Sequence, residues 1–171
     1  MPKYKKKITS LMSYSTFKDA IKDLPILKQA FLSILFFAGC RVSEALALSS
    51  DDISCQRETI FIQFFRLKGS KQTDPQEIPN HGFWGLWICQ QEGELFSFSR
   101  TTAYRIVKSV FPVLYPHYFR SNRFTKSLMK FDAATVVNVY GVTLNTINRY
   151  IAKVDIKKVG KALHAEIQVN K

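Results

Sequence analysis

The spacing of apolar and polar positions changes twice along this chain, and each change marks a different kind of element. A short helix is expected over 15–24, with Ser15 or Thr16 as its cap. Pro25 then opens a second helix, because its fixed φ and missing N–H suit a first helical turn. Residues 26–38 are apolar almost all round, the pattern of a helix that runs through a core, and Gly39 is placed to end it. A new helix over 41–48 puts Arg41 at a sharp junction beneath that buried element. Over 59–66 the residues become β-branched and aromatic, with Ile60, Ile62 and Phe64 on one face of a strand. Lys68-Gly69-Ser70-Lys71 reads as a turn and Glu77-Ile78-Pro79 as a short return strand. Helical spacing then returns over 81–91, 99–111, 116–130, 132–139 and 143–152. Trp84 and Trp87 are expected in the core of the 81–91 helix rather than as base-stacking groups.

This order predicts an α+β domain, mainly helical with a small antiparallel sheet. Residues 1–14 form a basic lead-in or linker, and the tail over 153–171 can add one more helix. No repeat, low-complexity tract or internal linker divides the rest.

Composition narrows the partners. With 171 residues and 46% apolar content, one well-filled core is expected. Lys and Arg number 25 against 13 Asp and Glu, a net charge of +12, and a field of that sign attracts polyanions, nucleic acid above all. Cys40, Cys55 and Cys89 are odd in number and contain no CxxC, so reduced, buried thiols and a cytosolic compartment are expected rather than disulfides. His81, His117 and His164 are too dispersed for a zinc site. The longest apolar run, 30–40, falls far short of the roughly 20 residues a membrane span needs. The basic opening is followed by no apolar segment of the secretory kind.

Four short pieces carry candidate chemistry, and each has an ordinary reading alone. Arg41 can simply pair with Glu44, three positions on. Lys68 can be a solvated turn residue. His117 and Arg120 share a helix face, and Pro116 at the helix start would put His117 in the first turn, where the dipole favours an anion. A tyrosine such as Tyr150 or Tyr140 commonly packs its ring and bonds its hydroxyl at a helix edge.

In their order, however, these pieces resemble the catalytic domain of tyrosine recombinases, the phage integrase family. Gly39-Cys40-Arg41-Val42-Ser43-Glu44-Ala45-Leu46-Ala47-Leu48 with Asp52-Ile53 resembles the family's first arginine box. Lys68-Gly69-Ser70-Lys71 sits where the family's sheet turn carries a lysine, and Pro116-His117-Tyr118-Phe119-Arg120 matches its His-x-x-Arg box. The run from Tyr140-Gly141-Val142-Thr143 to Asn148-Arg149-Tyr150 resembles the segment leading to the nucleophilic tyrosine. The resemblance covers 15–152. It implies a DNA strand transferase that uses neither metal nor ATP. Arg41 and Arg120 would hold the scissile phosphate, Tyr150 would attack it, Lys68 would protonate the leaving oxygen, and His117 would move a proton or hold the phosphate. Glu44 would orient Arg41. It also implies double-stranded DNA as partner, assembly on DNA as a tetramer with the 153–171 tail packing on a neighbouring protomer, no cofactor, no membrane, and action in the host cytoplasm.

Three positions depart from the family pattern. Val142 stands where His or Trp is usual, Ser121 replaces a second His with Arg123 near enough to cover part of that loss, and the interval from Gly141 to Tyr150 is one residue short, which makes Tyr140 a rival nucleophile. These departures suggest a divergent viral, archaeal or mobile-element branch. Two other readings compete: a non-catalytic DNA-binding relative, and a basic helical protein whose matches are accidental.

Overall fold

The computed structural model of the chain describes residues 11–65 and 73–151. Its first helix, α1 (Tyr14–Ile21), starts where the Ser13 hydroxyl accepts from the Thr16 amide, so the cap precedes both expected positions. α1 buries Phe17, whose ring stacks on Phe36 at 4.1 Å between centroids. Phe36 belongs to α2 (Ile26–Ala38), which is buried along most of its length and packs against elements on several sides. Gly39 ends it in the left-handed conformation, φ 60°. α3 (Val42–Leu46) follows α2 after three residues and is shorter than the expected helix.

The sheet has three strands, not two. A 3-10 turn at Ser50–Asp52 leads into β1 (Ile53–Cys55), which pairs antiparallel with β2 (Thr59–Ile62), itself paired antiparallel with β3 (Gln76–Pro79). Ile60 stands opposite Ile78 in the register, and both are buried. β2 ends at Ile62, yet Phe64 stays buried on the same side, as its alternation with Ile60 and Ile62 requires. Five helices complete the domain: α4 (Gly82–Cys89), α5 (Arg100–Val110), α6 (His117–Leu128), α7 (Ala133–Tyr140) and α8 (Leu144–Ile151). The expected α+β class, mainly helical with a small antiparallel sheet, is the class observed.

The apolar interior falls into two clusters. The larger surrounds α2 and takes in α1, the sheet, α4, α5 and Phe119 of α6. The smaller joins α6, α7 and α8 through Phe124, Val136, Tyr140, Val142, Ile147 and Tyr150. α6 contributes to both, so residues along it are held from two sides.

Two expectations are corrected. Cys55 and Cys89 form a disulfide, their Cα atoms 5.9 Å apart, while buried Cys40 takes no part in it. The cause is β1, the strand missing from the sequence reading: it carries Cys55 alongside α4, whose last residue is Cys89. Trp84 is in the core as expected, stacked on Phe37, but Trp87 is only half-buried, with its ring against Phe96. Among the described residues no helix is long and apolar enough to cross a membrane.

Candidate active site

The turn between α2 and α3 builds the first half of the site. Gly39 reverses the chain, and Arg41, in extended conformation, stands at the cap of α3. Glu44, in the first turn, accepts from the Arg41 backbone N–H through Oε2 and from Arg41 Nη1 through Oε1, each at 2.6 Å. The Glu44 side chain has no solvent exposure, whereas that of Arg41 is 40% exposed.

α6 brings the second half. Arg120, one turn after His117, donates from Nη1 to the Gly39 carbonyl at 2.8 Å. The same nitrogen lies 3.8 Å from Glu44 Oε2, and the guanidinium carbon sits 4.5 Å from the centre of the Phe124 ring. One buried carboxylate thus stands between two guanidiniums from distant parts of the chain, holding both and leaving the group net positive. The approach is close. A Cβ on Gly39 would come within 2.9 Å of Arg123 Cβ, so glycine is required here by space as well as by φ.

Tyr150 and Tyr140 both lean on Phe124, at 5.2 and 4.6 Å, but their hydroxyls take different partners. The Tyr150 hydroxyl is hydrogen-bonded to His117 Nε2 at 3.2 Å. The Tyr140 hydroxyl accepts from Arg123 Nε and is hydrogen-bonded to Ser127 Oγ, both at 3.0 Å. Each ring is 5% exposed. Val142 is buried in the smaller apolar cluster, and its side chain has no donor to offer. Ser121 is buried too, its carbonyl accepting from Thr125 Oγ1 at 2.8 Å.

The structure therefore groups Arg41, Glu44 and Arg120 around the Gly39 junction, and it sets His117, on the helix that carries Arg120, beside Tyr150 of α8. Lys68 and its turn lie outside the described residues. Two features had no counterpart in the sequence reading. The chain before α1 straps across α6: the Met12 N–H donates to Tyr118 Oη and Asn122 Oδ1, both at 3.0 Å, and Lys126 Nζ donates to the Met12 carbonyl. Burial lowers the Lys126 ammonium pKa below its usual range, with Arg123 and then Lys130 adding repulsion. Burial likewise raises the Tyr118 phenol, which the Met12 amide partly offsets. The other feature is a cavity of about 370 Å³ between the start of β3, Phe37, Arg123 and the end of α7. Gln76 at its edge donates from Nε2 to the Val139 carbonyl at 3.1 Å, tying sheet to helix.

Such an arrangement can bind a tetrahedral anion between paired guanidiniums and exchange a proton between a phenol and an imidazole. No protein-family model matches the chain, and no curated protein matches it. Solved structures do. The XerH site-specific recombinase bound to difH substrate, a pre-cleavage complex, superposes with a TM-score of 0.68 at 17% identity over 85% of this chain. Its post-cleavage complex with palindromic difH substrate gives 0.67 at 18% identity over 86%. The XerA recombinase gives 0.61 at 18% identity over 88%. This chain spans 51%, 49% and 61% of those three chains, about half the length of the XerH recombinase. It has, in short, a recombinase catalytic-domain fold, the fold that its motifs resemble.

Proposed function

We propose that this chain is the catalytic domain of a site-specific DNA recombinase or integrase, which cuts and rejoins DNA through a 3′-phosphotyrosyl bond. The observation that carries the reading is the hydrogen bond, 3.2 Å long, between the Tyr150 hydroxyl of α8 and Nε2 of His117, a residue one helical turn before Arg120 on α6. Arg41 and Arg120 hold the scissile phosphate by its non-bridging oxygens, where negative charge grows as phosphorus becomes five-coordinate. The phenol oxygen of Tyr150 attacks phosphorus and gives its proton to His117. The bond from phosphorus to the 5′ oxygen breaks, and Lys68 protonates that oxygen to leave a 5′-hydroxyl. Rejoining reverses the steps with a 5′-hydroxyl from another strand, so the ester conserves the bond and neither ATP nor a metal is required. Glu44 positions both arginines without touching DNA. The reading extends to a viral or mobile-element source, action on host DNA in the cytoplasm, and assembly as a tetramer on DNA.

A nicked duplex of the protein's own target site, designed to lose the freed strand, tests this. The wild type should accumulate a covalent protein–DNA adduct. Tyr150→Phe should abolish the adduct with DNA binding intact, and Tyr140→Phe should retain it. An adduct that vanishes in Tyr140→Phe but survives in Tyr150→Phe would transfer the role. No adduct from the wild type would favour the non-catalytic relative, a reading that apolar, buried Val142 supports.

A further inference from the structure

We infer that Arg123 is a further phosphate-binding residue of this site, and that the cavity beside it admits the anion; the inference rests on the function just proposed. Arg120 and Arg123 lie one helical turn apart on α6, and both are applied to the same glycine. Arg120 does so through its bond to the Gly39 carbonyl, and Arg123 through a stem that leaves no room for a Gly39 Cβ. Arg123 is half-buried, and its guanidinium is steered rather than loose. Nε donates to the Tyr140 hydroxyl, which is itself tied to Ser127 Oγ. A guanidinium anchored at Nε presents its two terminal nitrogens as a preorganised fork, the geometry that grips two oxygens of one phosphate. Its charge is felt locally, since Arg123 is among the causes that depress the Lys126 ammonium.

The cavity has room for such a ligand, about 370 Å³, and Arg123 lines it. Asp74 and Glu77 line it too, from the β3 side, and both are exposed. Neither forms an ion pair with Arg123. Two carboxylates on that side repel an anion and bias it towards α6 and the Gly39 junction. Their presence gives the inference a sign: removing them should tighten anion binding, whereas a cation-binding cavity would lose affinity.

The test pairs a soak with a titration. Crystals of the wild-type chain are soaked in tungstate, a tetrahedral dianion that its anomalous scattering locates. Density within hydrogen-bond distance of the terminal nitrogens of Arg123 and of Arg41 or Arg120 is the expected result. In solution, inorganic phosphate binding is followed by NMR. Arg123→Ala should weaken it by roughly 10-fold or more, the loss of a charge-assisted contact. Arg123→Lys should recover part of that loss, and Asp74→Asn with Glu77→Gln should tighten binding. Tungstate on Arg41 and Arg120 alone, with phosphate affinity unchanged in Arg123→Ala, overturns the inference and leaves the proposed function standing. Weaker phosphate binding in the carboxylate variants also overturns it. Absence of tungstate from all three arginines overturns both readings.

Discussion

A carboxylate with no solvent exposure has to be matched by charge, and Glu44 is matched from two directions, by Arg41 at 2.6 Å and Arg120 at 3.8 Å. Truncating it leaves one largely buried guanidinium without its anion. Glu44→Ala should therefore lower the unfolding free energy by about 3–5 kcal/mol, the usual result of breaking a buried pair from one side. Urea denaturation measures this, and Arg41→Ala, which removes a partner 40% exposed, should cost clearly less. A Glu44→Ala protein as stable as the wild type would mean that the carboxylate does not organise the arginines. Half of this arrangement was legible beforehand, because Arg41 and Glu44 are three apart in sequence. The contact with Arg120 was not: it depends on α6 docking against the end of α2, and no local spacing encodes that.

α7 shows how a helix boundary can be tested. Asp132 caps it, accepting from the Thr135 N–H at 2.9 Å and the Thr135 hydroxyl at 2.6 Å, and these bonds hold its carboxyl below the ordinary value. A depressed folded-state pKa stabilises above the unfolded value and is lost as pH falls through the folded one. Asp132→Ala should thus be less stable than the wild type at neutral pH, and the gap should close below the ordinary carboxyl range. Denaturation of both proteins across acid pH checks the direction. A gap that stays constant would mean that the carboxylate is not the capping group. Most helices were legible because their periodicity persists for two turns or more. β1 was not, since three residues with only Ile53 half-buried cannot display alternation. Its omission also hid the disulfide, because counting cysteines says nothing about which elements lie side by side.

The molecule as a whole carries +12, and that excess should dominate the DNA binding proposed for it. If about six phosphates are neutralised, affinity for duplex DNA should fall roughly a thousandfold between about 50 and about 200 mM salt, a change that fluorescence anisotropy reads directly. Salt-insensitive binding would contradict the electrostatic account. Disulfides are rare in cytosolic proteins, except in hyperthermophilic organisms, so this one stands against the cytosolic compartment expected from the cysteine count. It also has a topological effect. The Cys55–Cys89 bond closes a loop of 34 residues in sequence separation, with β2, β3 and the position of Lys68 inside it. A backbone cut within that loop opens the chain without dividing it. The piece bearing Arg41 and the piece bearing His117, Arg120 and Tyr150 remain one covalent molecule until the sulfurs are reduced. A chain cut once between the two cysteines therefore keeps Arg41 tethered to His117, Arg120 and Tyr150, migrating as one band without reductant and as two with it.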